Sequence, residues 1–234
     1  SDKVAGIMGA DCSGVTTAIA NNVAVPNGVT MISPSATSPA LSTIDDQGYF
    51  FRTAPSDARQ GQVLAKITME RGINEVAVTF TNNDYGKGLS DSFIGAFKGL
   101  GGKVSAVVPH EDGKADYSAE VGTLDASGAG VLAVFGYVDQ GGRHMIQTSI
   151  DSGAFDKFIL ADGMYGESLL KNIDGDLSGT FGTVPGTDSK GAASFAKMAK
   201  AAGIKAGGPF TGESYDAAAL LVLAMQSGGS TDRA

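Results

Sequence analysis

The chain of 234 residues has one cysteine, two histidines and no tryptophan. A single cysteine, Cys12, excludes a disulfide within this sequence and a zinc site built from several cysteines. The two histidines and the scattered carboxylates do not have the spacing of a transition-metal site. We therefore predict that the protein holds no metal ion and no other cofactor.

Basic residues and long apolar runs are also scarce. Seventeen Lys and Arg stand against 25 Asp and Glu, which gives a net charge of −8. Such a surface repels nucleic-acid phosphates and anionic lipids. The longest strongly apolar stretch, 217–225, is about half of the ~18 residues that a membrane span needs. We expect no nucleic-acid partner and no insertion into a membrane.

Motifs of catalysis are absent or incomplete. "DYGKG" lacks the first glycine and the final hydroxyl of a phosphate loop, and "DCSGV" lacks the outer glycine of a nucleophile elbow. Cys12 could act as a nucleophile with His110 or His144 as its base, but neither histidine has an evident orienting partner. We predict no catalytic residues and a protein that is not an enzyme.

Short apolar runs that alternate with helical patterns dominate what the sequence does contain. Leu89, Phe93 and Phe97, with Leu100, form one helical stripe, and a second lies within 195–202. The alternation predicts an α/β fold with parallel sheets covered by helices. The predicted strands are 3–8, 29–33, 75–81, 103–108, 131–135, 157–161 and 179–184.

Two extended segments, 51–57 and 184–189, each contain a proline followed by a capping Asp or Ser. We interpret them as crossings between two lobes. Residues 1–55 and 187–234 would form the first lobe, and residues 56–186 the second. The length of the chain is compatible with two domains.

Polar side chains follow five of the predicted strands: Ser13, Thr37, Tyr85, Tyr137 and Asp162. Ligands of open parallel sheets bind at this edge, outside the carboxyl ends of the strands. Ser13, as the N-cap of a helix over about 13–25, and Thr37 would suit an anion, whereas Asp162 would suit a cation. The two tyrosines would supply aromatic walls, so together the five residues suggest a pocket for a zwitterion.

Each of these residues also has an ordinary structural explanation. Ser13 and Thr37 could simply cap helices, and Asp162 could be a turn residue before Gly163. The tyrosines could pack in a half-buried position. Only the coincidence at several strand ends favours a site.

The whole sequence resembles the periplasmic binding proteins of ABC transporters for branched-chain amino acids, which have the type 1 periplasmic binding fold. The blocks "ISPSAT" and "FRT" are the most specific part of this resemblance. Further blocks occur in the same order: "DKVAGIMG", "VAVTFTNNDYGKGLSDSF", "FGYVDQGG", "ILADGM" and "SYDAAALL".

This resemblance implies that two lobes close on an amino acid. Its α-carboxylate would bind Ser13 and Thr37, in the loop that also contains Ala36, and its α-ammonium would bind the backbone carbonyl of Ser35. Asp162, where the family often has Glu, would be the counter-ion of the ammonium. Tyr85 and Tyr137 would surround the ligand.

The resemblance also implies a monomeric, periplasmic receptor that delivers its ligand to a membrane permease. Family members extend beyond both ends of this sequence, so the first lobe is expected to be partial here. The family often pairs a cysteine at the position of Cys12 with one upstream. No targeting-peptide pattern is visible at residue 1.

Other functions remain open from the sequence. The same fold could bind an aromatic or aliphatic acid, an amide or an ω-amino acid, or it could serve as the sensing domain of a regulator.

Overall fold

A computed structural model describes residues 3–186 and 190–232. The chain folds as two compact units: unit 1 is Ser1–Ser56 with Pro185–Ala234, and unit 2 is Asp57–Val184. Part of the predicted crossing at 184–189 lies outside the described residues. None of the helices in the described ranges is both long and apolar enough to cross a membrane.

The strands form two all-parallel sheets. Unit 1 has the order β1-β2-β3, and unit 2 has the order β5-β4-β6-β7-β8. The strands are β1 Gly6–Met8, β2 Thr30–Ser33, β3 Phe50–Arg52, β4 Glu75–Thr81, β5 Lys103–His110, β6 Leu132–Phe135, β7 Phe158–Leu160 and β8 Phe181–Gly182.

Helices connect the strands and cover the sheets. They are α1 Ser13–Ile19, α2 Asp57–Glu70, α3 Asp84–Gly99, α4 Ser118–Asp125, α5 Arg143–Ser152, α6 Glu167–Asn172, α7 Lys190–Ala201 and α8 Thr211–Gly228. The α/β class with parallel sheets, predicted from the alternating runs, is confirmed.

The central strands of unit 2 are buried on both faces, which is why they read as continuous apolar runs. Along β4, Val76 and Val78 belong to the apolar cluster on one face, whereas Ala77 belongs to the cluster on the other. Helix α3 packs its predicted stripe, with Leu89 and Phe93 fully buried, into the first of these clusters. The sheet is therefore a rigid platform for the loops at its carboxyl edge.

Three details differ from the sequence-based prediction. The segment "FRT" was expected as a crossing, but Phe50–Arg52 forms strand β3, which pairs with β2. Leu100 is 49% exposed because it follows the last residue of α3, so it does not extend the stripe. In the second predicted stripe, Ala199 is buried but Met198 is 48% exposed.

The helix expected over 13–25 also differs. Helix α1 ends at Ile19, and a π-helical turn, Ala20–Ala24, and a 3-10 turn, Val25–Asn27, follow it. Gly28 then ends the segment in the left-handed region, with φ of +59°, where glycine is the least strained residue. The N-cap of α1 is Cys12, so the prediction that Ser13 is the N-cap was wrong.

Candidate functional site

The sheet of unit 2 reverses its winding at β4, which lies between β5 and β6. In open parallel sheets such a switch point leaves a crevice at the carboxyl ends of the strands. Tyr85 follows β4 and Tyr137 follows β6, so the topology brings both to this crevice. Their rings stack with centroids 5.0 Å apart.

The start of helix α3 fixes Tyr85. The side chain of Asn83 caps the helix and accepts hydrogen bonds from the backbone N–H groups of Tyr85 and Gly86, at 3.1 and 3.0 Å. An N-cap of this kind satisfies amide groups that would otherwise lack partners. Tyr85 is buried, with 3% of its surface exposed, and belongs to the apolar cluster that contains Leu89.

Asp162 follows β7 and lies against Tyr85. The Tyr85 hydroxyl donates to Oδ1 of Asp162 at 3.1 Å, and the same hydroxyl accepts a hydrogen bond from the backbone N–H of Gly163 at 3.1 Å. A phenol hydroxyl has one proton to donate, and Tyr85 donates it to the Asp162 carboxylate. Tyr85, Tyr137 and Asp162 therefore form one cluster, as the prediction from strand ends required.

The electrostatics of this cluster favour a positive partner. Burial raises the pKa of Asp162, although hydrogen bonds from the side chains of Gln60 and Tyr85 act in the opposite direction. Burial, followed by the charge of Asp162, also raises the pKa of Tyr85 well above its usual value. A carboxylate that is 6% exposed is poorly solvated, so a cation placed beside it would be held strongly.

Close backbone packing keeps these loops together. A Cβ atom on Gly163 would lie 2.4 Å from the backbone oxygen of Gly136 and 2.9 Å from the Tyr85 hydroxyl oxygen. Any side chain at this position would push apart the loops that follow β6 and β7. The glycine thus allows the Tyr85 to Asp162 hydrogen bond to form.

Helix α2 contributes two polar residues that do not follow a strand and were not predicted as site residues. Asp57 is fully buried, and its charge adds to the rise in the Tyr85 pKa. Gln60 donates from Nε2 to the backbone oxygen of Thr183 at 3.0 Å, and its side chain acts to lower the pKa of Asp162. Asp57, which the sequence suggested as a capping residue, is the first residue of α2, but nothing near Gln60 indicated a partner so far along the chain.

In unit 1 the loops after β1 and β2 are joined by hydrogen bonds. The Ser33 hydroxyl donates to the Ala10 oxygen at 2.6 Å and accepts from the Ala36 N–H at 3.0 Å. The Ser13 hydroxyl accepts from the Ser38 N–H at 3.1 Å. These bonds fix the "SPSATS" loop against the start of α1.

Arg52 of β3 holds the same loop from the other side. Its guanidinium donates to the backbone oxygens of Ala36 and Ser38, at 3.0 and 2.9 Å, and to the Ser42 hydroxyl at 2.6 Å. Planar, multiply bonded contacts of this kind are specific to arginine. The loop between Pro34 and Pro39 is therefore fixed by hydrogen bonds.

The predicted residues of unit 1 lie together in this loop region. Ser13, Ala36 and Thr37 are buried, with 2%, 0% and 1% exposed. The Ser35 hydroxyl has a hydrogen-bond partner within unit 1, because it donates to Oδ1 of Asp11 at 2.6 Å. The structure thus brings the seven predicted residues into two clusters, one in each unit.

Each of the two histidines has a contact within unit 2. Nδ1 of His110 lies 2.8 Å from the Thr79 hydroxyl, and burial lowers the pKa of His110 to about 4. His144 stacks on Tyr117 with ring centroids 6.2 Å apart. Across residues 3–186 and 190–232, no group of three or more His, Cys, Asp or Glu is placed to hold a metal ion.

A family model described as "periplasmic binding protein" matches residues 1–234. The chain belongs to the periplasmic binding protein family. The resemblance noted in the sequence is confirmed, and the parallel sheets described above are those of this family's fold.

A similar relative is the Leu/Ile/Val-binding protein homolog 1 of Brucella abortus, which is 31% identical over 239 residues. The match covers 99% of this chain but only 62% of that protein. The chain therefore spans less than two thirds of the length of this family member.

Solved structures agree on the fold. A leucine binding protein from Thermotoga maritima has a TM-score of 0.84 and 26% identity, with 100% of this chain and 67% of that chain covered. A solute binding protein of an ABC transporter from R. palustris, in complex with 4-hydroxybenzoate, has a TM-score of 0.81 and 22% identity. That match covers 100% of this chain and 65% of the other, and at this identity it shows the fold alone.

Proposed function

We propose that this chain is part of an extracytoplasmic solute receptor that binds a small aliphatic amino acid, of the branched-chain type, and delivers it to an ABC permease. Its two units would be the two lobes of the receptor, and no chemical step would take place. The observation that carries the proposal is the buried Asp162 carboxylate, which accepts a hydrogen bond from the Tyr85 hydroxyl. The names of the Brucella and Thermotoga relatives support the choice of ligand.

Asp162 would receive the α-ammonium of the ligand. The Tyr85 hydroxyl occupies Oδ1, and a carboxylate oxygen accepts more than one hydrogen bond, so acceptor capacity remains for an N–H group. Burial strengthens such a charged contact because water does not screen it. Tyr137, stacked on Tyr85, would supply an apolar wall.

The loop of unit 1 would bind the other end of the amino acid. Ser13 and Thr37 would donate to the α-carboxylate, and Ala36 would bring the backbone close to it. The Ser35 carbonyl would provide a second acceptor for the ammonium. Arg52 supports these roles because it immobilises the loop before any ligand arrives.

A second candidate ligand is an aromatic acid. The fold neighbour from R. palustris, which is in complex with 4-hydroxybenzoate, supports this alternative. Burial raises the pKa of Asp162, and a protonated carboxyl could donate a hydrogen bond to an acid or a phenol. Binding of such a ligand should then release or take up a proton, whereas an ammonium partner should keep Asp162 ionised.

Thermal unfolding with a panel of ligands separates these candidates. Protein that has been unfolded, dialysed and refolded would be heated with L-leucine, with its keto acid or with 4-hydroxybenzoate. The amino-acid proposal expects a rise in Tm with leucine only, because a ligand that binds the native state stabilises it. A rise with 4-hydroxybenzoate and none with leucine would overturn it in favour of the second candidate.

A further inference from the structure

The loop after β6 lies against the buried ring of His110. This residue ends strand β5 and is 1% exposed. A Cβ atom on Gly136 would lie 2.9 Å from Nε2 of His110, and one on Gly141 would lie 2.9 Å from its Cδ2. The ring is therefore in close contact with the backbone of residues 136–142, the segment that contains Tyr137.

Two contacts fix the orientation of this ring. Nδ1 of His110 lies 2.8 Å from the hydroxyl of Thr79, which belongs to β4 and is fully buried. The ring of Tyr117 meets the imidazole edge to face, with centroids 6.1 Å apart and an angle of 82° between the planes. The plane of the imidazole is thus set from both the sheet and helix α4.

Tyr117 is itself held in place. Its hydroxyl donates to the backbone oxygen of Glu111 at 2.8 Å and accepts from the backbone N–H of Lys114 at 3.1 Å. A Cβ atom on Gly141 would lie 2.8 Å from the same hydroxyl oxygen. Together, His110 and Tyr117 form one surface on which the loop after β6 packs.

Packing alone does not explain a histidine at this position. Nε2 of His110 is buried and has no hydrogen-bond partner among residues 3–186 and 190–232, which costs free energy that an apolar side chain would avoid. A buried polar atom without a partner calls for a specific reason. The imidazole supplies one, because it is a flat ring whose rotation the Thr79 hydroxyl can fix through Nδ1.

The contact with His110 is transmitted to Tyr137 through the backbone. The N–H groups of Gln140 and Gly142 donate to the backbone oxygen of Tyr137, at 3.3 and 3.0 Å, so the turn and the tyrosine form one unit. The ring of Tyr137 stacks on that of Tyr85 with centroids 5.0 Å apart. A shift of the turn would consequently change this stacking.

We propose that His110 is a positioning residue, whose ring, oriented by Thr79, holds the loop after β6 so that Tyr137 stacks on Tyr85 before a ligand arrives. Ordering the aromatic wall in advance lowers the entropic cost of binding. The proposal rests on the proposed function in one respect, since it takes Tyr137 to be a wall of the ligand site.

His110→Ala tests this role, with His144→Ala as the matched control. Both changes remove an imidazole that contacts Tyr117, but His144 is exposed. NMR of ligand-free protein with labelled tyrosines would measure the nuclear Overhauser cross-peak between the rings of Tyr85 and Tyr137. We expect its intensity to fall roughly twofold or more in His110→Ala, because the loop relaxes into the space left by the ring, and to stay unchanged in His144→Ala.

Two changes at Thr79 separate orientation from packing, and they also serve if His110→Ala does not fold. Thr79→Val keeps the branched shape but removes the hydroxyl, whereas Thr79→Ser keeps the hydroxyl but removes a methyl group. We expect the cross-peak to weaken in Thr79→Val and to persist in Thr79→Ser. The opposite order would show that packing of the methyl group, and not the orientation of the ring, matters here, and it would overturn the proposal.

Binding measurements give the second readout. Leucine should bind His110→Ala roughly tenfold more weakly and Thr79→Val roughly threefold more weakly, with the affinity of Thr79→Ser and His144→Ala close to that of wild type. Equal cross-peaks in wild type, His110→Ala and Thr79→Val overturn the role of His110, whatever the ligand is. A wild-type protein that binds no amino acid overturns the proposed function, and the cross-peaks of ligand-free protein still decide the role of His110.

Discussion

Replacing Asp162 by Asn removes the negative charge but keeps the size of the side chain and its acceptor for Tyr85. The residue is 6% exposed, so an ammonium beside it would lose most of its water and would depend on the carboxylate. A hydrogen bond between charged groups contributes about 1.5–3 kcal/mol, and about 1.4 kcal/mol corresponds to tenfold in affinity. We therefore expect leucine to bind Asp162→Asn roughly tenfold to a hundredfold more weakly.

Isothermal titration calorimetry of refolded, ligand-free protein measures this loss directly. Asp151→Asn, an exposed change on α5, is the control and should leave the affinity for leucine unchanged. Urea unfolding should show that Asp162→Asn is at least as stable as wild type, because a poorly solvated charge has been removed. Equal leucine affinity in Asp162→Asn and wild type would mean that Asp162 does not bind the ammonium group.

Three further predictions concern stability and order. Burial lowers the pKa of His110 from 6.5 to about 4, so the folded state binds fewer protons than the unfolded state between these two pH values. The free energy of unfolding should therefore fall by about 3 kcal/mol as the pH drops from 6.5 to about 4. Urea unfolding at several pH values checks this, and a His110→Gln variant with an equally steep profile would contradict it. Gly163→Ala should lower the free energy of unfolding by about 1–3 kcal/mol through its backbone clash, whereas Gly95→Ala, on an open helix surface, should raise it by up to about 1 kcal/mol. Equal effects of the two changes would be incompatible with the described packing. Arg52→Met should speed amide exchange at Ser38 by roughly tenfold or more, because the charged donors that hold the loop are lost, and unchanged exchange would mean that the loop is ordered without them.

The sequence was sufficient to predict the strands that are buried on both faces. Strand β4 forms over Glu75–Thr81, the residues expected, because a continuous apolar run of this length has few other stable arrangements. Strand β3 was missed because it is only three residues long and Phe51 is 52% exposed, so its pairing with β2 depends on tertiary structure. Short edge strands carry little periodic signal of their own.

The same distinction holds for the site. The rule that polar residues gather at the carboxyl edge identified Tyr85, Tyr137 and Asp162, which the structure places in one cluster. Gln60 lies in helix α2 and does not follow a strand, so this rule did not identify it. The residue to which it donates a hydrogen bond, Thr183, is 123 residues further along the chain. Hydrogen bonds across long sequence separations require the fold before they can be seen.

The position of Ser13 shows a further limit. Its hydroxyl was expected to cap α1, but it accepts a hydrogen bond from the backbone of Ser38, and Cys12 takes the N-cap position. Serine at a helix start satisfies whichever donor is closest, and here that donor comes from the next loop. Local capping preference cannot decide between a donor in its own helix and one brought in by tertiary structure.

Calorimetric titration of the ligand-free, wild-type protein with L-leucine and then with its keto acid, 4-methyl-2-oxopentanoate, shows whether the ammonium group of the ligand is recognised. The two ligands share their side chain and carboxylate and differ at the ammonium group. We expect that leucine binds and that the keto acid binds at least tenfold more weakly, since only leucine supplies a partner for Asp162. Equal or tighter binding of the keto acid would contradict the role of Asp162 and the amino-acid receptor with it.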